Sequence, residues 1–224
     1  MSRDAKKSAA RQRSAPRRGE AREALMQAAL ELVATEANFS AISLRRIARQ
    51  AGVVPTAFYR HFEDLDALGL TLIEDTFRSL RHILNDAALS SMPLKGLVRY
   101  SVELFAHYVR DNRLLFQFVV KERFAGTVAM REAIHNEIVL LTNALAADFA
   151  RFDEFSHISQ DDLRTIADLV VNTVITLSER ILDVDPDNAE DDALMLRAEK
   201  QLRLIFMGVG RWESRPSSSV GAVS

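Results

Sequence analysis

The 224-residue sequence predicts an all-α protein of about nine helices, with an N-terminal three-helix head carrying a helix-turn-helix and a larger helical body behind it. Three observations predict it. Apolar residues recur at spacings of three and four through most of residues 20–209, and no stretch alternates as a strand would. Residues 43–62, SLRRIARQAGVVPTAFYRHF, read as two short helices around a glycine turn. Charge is divided unevenly along the chain. Residues 1–62 carry 12 Lys and Arg against 5 Asp and Glu, a net of +7, and the remainder carries 17 against 26, a net of −9. A cationic head on an acidic body suits a protein whose head meets the phosphates of nucleic acid.

Composition removes several alternatives. An apolar content of 48% is ample for a sizeable core, and the absence of cysteine excludes disulfides and thiolate metal sites. No apolar run approaches the roughly 18–20 residues that a membrane span needs. The basic N-terminus lacks the apolar segment of a secretory signal, so a cytoplasmic protein is expected.

Taken in order, residues 1–18 hold seven Lys and Arg without apolar periodicity and are expected to form a disordered basic tail. It is either a solvated leader or an arm that tracks phosphates. Residues 19–63 form the head. Leu25, Ala28, Ala29, Leu32 and Val33 make one stripe of a first helix over 20–36. Phe39 is expected to plug the small core with Ile42, Leu44, Ile47 and Phe58. Ser43 can cap the second helix, Gly52 can end it in a left-handed residue, and Pro55 suits the first turn of the third, over 55–62. Some 45 residues make a small head, which should lean on the body for stability.

Residues 64–212 form the body. A long helix begins near Glu63–Asp66, with acidic residues where the helix dipole favours them. It runs to about Asn85 through Leu68, Leu72, Ile73, Phe77 and Leu80. After a break at Ser90 to Pro93, helices are expected over 94–109, 114–124, 128–152, 161–182 and about 194–209. The 114–124 helix is apolar on nearly all sides and should be buried. Residues 213–224 are Ser- and Gly-rich and are expected to be disordered.

The motif ISLRRIARQAGV at 42–53, with FYRHF at 58–62, an amphipathic helix before it and a long helix after it, resembles the TetR family of bacterial transcriptional repressors. Residues 51–70 and 116–133 are further similar to the FabR/DesT type, which controls unsaturated fatty-acid synthesis. The likeness runs from about residue 20 to about 210. It implies DNA binding, repression, a homodimer and a small-molecule effector, with no catalysis, cofactor or membrane. It departs in one place. Many members carry near the start of the fourth helix a Lys that touches a phosphate; here that place is Leu65, between Asp64 and Asp66.

By this resemblance and by position, the third helix enters the major groove. Pro55, Thr56 and Ala57 are small enough for close approach at its N-terminal end, where Thr56 and Ala57 can meet a thymine methyl. Tyr59 and His61 are placed for phosphates, and Arg60 for a phosphate or a guanine edge. Ser43, Arg45 and Arg46 can grip the backbone. Phe58 and Phe62 suit the core, and His61 can instead sit there neutral.

In the body, Phe105, Tyr108, Leu115, Phe116, Phe118, Val119 and Phe124 concentrate apolar bulk. Core packing explains most of them. The resemblance adds an apolar tunnel for a fatty acyl chain on coenzyme A or acyl carrier protein, with Arg99, Lys121 and Arg123 as candidates for its phosphates. A drug or another small apolar ligand is the alternative effector. The seams of the last two helices either close the monomer or form an intermolecular four-helix bundle. A two-fold dimer would need a palindromic operator, with half-sites about 34–36 Å apart or a multiple of that.

An enzyme is a distant alternative. No glycine-rich phosphate loop, H-E-x-x-H or nucleophile elbow is present. His61, His82, His107, His135 and His157 never fall at i, i+4, so no helical metal pair forms. Asp183, Asp185 and Asp187 begin like a calcium loop, which fails at Asn188 and Leu194.

Overall fold

The computed structural model describes residues 18–88, 94–186 and 188–214. Among them are nine α-helices, two short 3-10 turns and no strand. The basic tail through residue 17, the break at 89–93, Asp187 and the tail from 215 lie outside the described residues.

The head comprises α1 (Arg18–Thr35), α2 (Leu44–Gln50) and α3 (Pro55–Phe58), with a 3-10 turn at Phe39–Ala41. The Asn38 side chain accepts from the Ala41 N–H and caps that turn. Ser43 caps α2, its hydroxyl accepting from the Arg46 N–H. Gly52 follows α2 with φ +71°. The Val53 N–H reaches the Ala48 carbonyl at 2.9 Å and the Gly52 N–H the Arg49 carbonyl at 3.2 Å, a paired C-terminal closure that needs a left-handed residue. Gly52→Ala is therefore expected to lower stability by about 1–2 kcal/mol, read as a shift in urea midpoint. An unchanged midpoint would contradict the strain.

The third helix is shorter than the sequence suggests. Regular α-helix stops at Phe58, and a tightened turn carries the chain on through bonds from Arg60 N–H to Ala57 and from His61 N–H to Phe58. That turn brings the Phe62 ring under the Phe58 ring, 5.5 Å between centroids, and both are buried.

The body comprises α4 (Leu65–Ala88), α5 (Leu94–Asp111), α6 (Arg113–Ala125), α7 (Val128–Phe149), α8 (Gln160–Asp183) and α9 (Ala189–Val209). Side-chain caps start several of them: Asp64 accepts from Ala67 N–H, Thr127 from Met130 N–H, Ser159 from Asp162 N–H and Asn188 from Glu190 and Asp191 N–H. Helix α8 packs on α7 and α9, α4 on α7, and α9 on α5. Head and body share one apolar core, which runs from Leu25 through Phe39 to Val209.

Three expectations need correction. The seam residues Leu163, Ile166, Val170, Leu177 and Ile181 of α8, and Leu194, Ala198, Leu202 and Val209 of α9, are buried within the single chain. They close the monomer's own core. What α8 and α9 leave outside is a different set, Leu169, Leu196, Leu204 and Met207, the last two 68% and 73% exposed. Helix α6 is not buried all round: Phe124 is 71% exposed, and Leu114, Leu115, Val119 and Val120 are half-buried. Finally, the chain remains tied down past α9. Ser214 accepts from the Ser159 N–H at 2.8 Å, and hydrogen bonds from Ser214, Trp212 and Ser159 hold the Asp162 carboxyl below its usual range.

Candidate DNA-reading head and effector cavity

The exposed side chains of the two-helix reader are those a phosphate or base edge could meet. Ser43, Arg45, Pro55, Thr56, Tyr59 and Arg60 are exposed, and Tyr59 keeps 64% of its surface in solvent. Arg46, Ala57 and His61 are half-buried. Val54, just before the third helix, is equally exposed, although an isolated apolar residue before a proline gave no signal of it. Leu65 packs against the core behind Asp64, which caps α4, so no cation stands where many relatives of this motif carry Lys.

Arg46 has a second attachment. Its guanidinium pairs with the Glu36 carboxylate at the end of α1. It therefore orients α2 against α1, a role additional to the backbone contact that the resemblance implies for it. Arg46→Ala is expected to weaken binding to all DNA sequences alike and to reduce the slope of log affinity against log salt by about 0.9 per lost phosphate contact. Fluorescence anisotropy at several salt concentrations measures this, and an unchanged slope would remove Arg46 from the phosphate contacts.

Within the body lies an apolar cavity of about 250 Å³. Helices α4 to α9 all contribute to its wall, with Phe77 from α4, Phe105 from α5, Phe116, Val119 and Arg123 from α6, and Phe206 from α9. Of the sequence candidates, Phe105, Phe116, Val119 and Arg123 meet here. Tyr108 and Leu115 do not. Tyr108 backs the wall, edge-on to Phe116 at 5.7 Å, and burial pushes its phenol pKa up while a hydrogen bond with Ser79 opposes this. Phe118 turns the other way, toward the head. Both faces of α6 are apolar, so sequence alone could not say which one faces the cavity.

The three cations proposed for ligand phosphates separate in the same way. Arg99 pairs with Glu103 one turn along the exposed side of α5. Lys121 faces the head, where its ammonium donates to the carbonyls of Val33, Ala34 and Glu36 at 2.7, 3.2 and 2.9 Å. It thus adds a donor to carbonyls in and just past the last turn of α1, where backbone donors run out; of these, Val33 also accepts from the Glu36 N–H at 3.3 Å. Arg123 alone reaches the cavity wall. Its guanidinium lies 3.7 Å from Glu179 and 5.1 Å from the Phe124 ring centroid.

Next to Lys121, Glu122 is fully buried, and its Oε1 accepts from the Phe39 N–H at 2.8 Å. Its Oε2 has no hydrogen-bond partner. Burial pushes this carboxyl above its ordinary pKa, against the Phe39 N–H and the Lys121 charge. Phe39 meets Phe118 edge-on at 5.6 Å, and Gly69 of α4 lies so close to Met130 that a Cβ there would overlap it. So α6 presents Phe116, Val119 and Arg123 to the cavity, and Phe118, Lys121 and Glu122 to the head. No sequence signal marked this joint, because its partners lie more than eighty residues apart.

Residues 25–69 match the family described as "Bacterial regulatory proteins, tetR family". In three dimensions the chain is similar to the fatty acid degradation regulator FadR from Bacillus halodurans, with a TM-score of 0.68, 15% identity, and 88% of this chain and 98% of that one covered. It is also similar to FadR from Bacillus subtilis, solved with stearoyl-CoA, with a TM-score of 0.66, 16% identity, and coverage of 83% and 98%. A TetR-family regulator from Streptomyces coelicolor gives a TM-score of 0.65, 19% identity, and coverage of 86% and 97%. At these identities the likeness to solved structures is one of fold.

Proposed function

We propose that this chain is a transcriptional regulator of the TetR type, a repressor of fatty-acid metabolism genes whose effector is a long-chain acyl-CoA or acyl carrier protein thioester. The observation that carries the reading is the apolar cavity whose α6 wall also holds the head. Similarity of residues 51–70 and 116–133 to repressors of unsaturated fatty-acid synthesis supports the choice of effector. So does the likeness in fold to FadR solved with stearoyl-CoA.

The protein acts as a cytoplasmic homodimer on a palindromic operator. Leu169, Leu196, Leu204 and Met207, left in solvent by α8 and α9, supply an apolar face for the second copy. Ser43, Arg45, Arg46, Tyr59 and His61 fix the register on phosphates, while Thr56, Ala57 and Arg60 read base edges.

Control follows from differential binding. A ligand shifts operator affinity only by as much as it prefers one arrangement of the heads over another. Filling the cavity displaces α6 by way of Phe116 and Val119. Lys121 and Glu122 carry that displacement to the end of α1 and to Phe39, which changes the set of the head.

Selection of bound DNA from a random pool, repeated with and without oleoyl-CoA, tests the whole reading. A palindrome enriched in one condition and depleted in the other is expected. A palindrome insensitive to acyl-CoA but released by a compact apolar drug would transfer the effector role to that class. Enrichment of no sequence would overturn the reading.

A further inference from the structure

A second, polar cleft of about 580 Å³ opens between the end of α6, α7 and α8. Arg123, Ile134 and Ile138 line both this cleft and the apolar cavity, so the two spaces meet at those side chains. Three guanidinium groups, Arg123, Arg131 and Arg164, stand in the cleft, with His135 beside them and Asp161 and Asp168 as the opposing charges. Arg131 donates to the Gly126 carbonyl at 2.5 Å, and the Arg164 Nε donates to the Asn143 side chain at 3.1 Å. Each bond uses one donor of a five-donor fork, holding the group in place with N–H directions to spare. Phe124, an aromatic ring left in solvent, lines the same cleft under the Arg123 guanidinium.

We propose that this cleft is the head-group subsite of the effector: it takes the phosphorylated adenosine of coenzyme A while the acyl chain lies in the apolar cavity. The inference rests on the acyl thioester reading above and narrows it to one carrier. An acyl chain alone would need only the cavity. A chain on a phosphorylated nucleotide needs an adjoining space with planar cations for phosphate and an aromatic surface for a base, and the cleft joins both to the cavity. Arg123, at the junction, faces the pantetheine and pyrophosphate between the two ends.

The test is direct titration of the full-length protein with oleoyl-CoA, oleoyl-phosphopantetheine and oleate, for the wild type, for the double variant R131A/R164A and for F124A. Wild type is expected to bind oleoyl-CoA at least tenfold more tightly than oleoyl-phosphopantetheine, which lacks the nucleotide. The double variant should lose at least tenfold for oleoyl-CoA, retain oleate within twofold, and bind operator DNA as wild type does. F124A should lose affinity for oleoyl-CoA alone. Equal losses for oleoyl-CoA and oleate would mean that the arginines only support the fold, and would overturn the subsite. So would unchanged binding of oleoyl-CoA by the double variant. A wild type that binds none of the three overturns the acyl effector itself, a result distinct from failure of the cleft.

Discussion

Glu122→Ala is expected to destabilise the protein by about 2–4 kcal/mol and to separate ligand binding from DNA release. The Phe39 N–H is buried and has the Glu122 carboxylate as its acceptor. Leaving such a donor unpaired costs about 1–3 kcal/mol, and the volume vacated by a fully buried side chain adds to that. For a chain of this length each kcal/mol moves the melting temperature by about 2–4 °C. The neutral isostere Glu122→Gln keeps an acceptor for Phe39 and should hold the head in place.

The two variants also differ in pH dependence. Burial raises the folded pKa of Glu122 above its ordinary value of 4.5. Between 4.5 and that folded value the native state keeps a proton that the unfolded chain has released. The contribution of this group to stability is therefore fully present below the unfolded pKa and is lost as pH rises through the folded one. Urea titrations across mildly acid to neutral pH should show that loss in wild type and not in Glu122→Gln. Parallel curves would mean that the carboxyl titrates normally.

Val174→Trp should abolish the response to effector while leaving the operator complex intact. Val174 belongs to α8 and lines the cavity, outside the head. An indole there takes the space of about four methylenes of a bound chain, each worth about 0.8 kcal/mol, and so weakens binding by about two-hundredfold. Calorimetry gives the affinity for oleoyl-CoA, and anisotropy gives the operator affinity. Full-strength ligand binding by this variant would place the acyl chain elsewhere. Loss of operator affinity without ligand would mean that the substitution had disturbed the fold.

Much of the architecture was legible because it is local. Ser43, Gly52 and Pro55 announce the ends of α2 and the start of α3 through capping chemistry that acts over a few residues, and the structure uses each in that role. The 3.6-residue apolar period placed the ends of the body helices to within five residues, the largest miss being the start of α9 at Ala189. What sequence could not show depends on partners distant in the chain. The stripes of α8 and α9 suit either the monomer's core or an intermolecular seam, since period alone does not say which molecule supplies the other side, and the structure buries them within the chain. Phe39 was assigned to the head's own core, but it meets Phe118 of α6. Lys121, taken for a ligand contact, clasps the end of α1. Helix α3 stops at Phe58 and passes into a tightened turn, a boundary of a few residues that apolar spacing does not set, since Phe58 and Phe62 are buried together either way.

The central claim is that α6 couples the cavity to the head. The most direct measurement is the operator affinity of wild type and of Glu122→Ala, each at saturating oleoyl-CoA and without it, with binding of the ligand verified on the same samples. Coupling through α6 predicts at least a tenfold change on ligand binding in wild type and less than a twofold change in Glu122→Ala. Equal shifts in both proteins, with ligand bound in each, would contradict it.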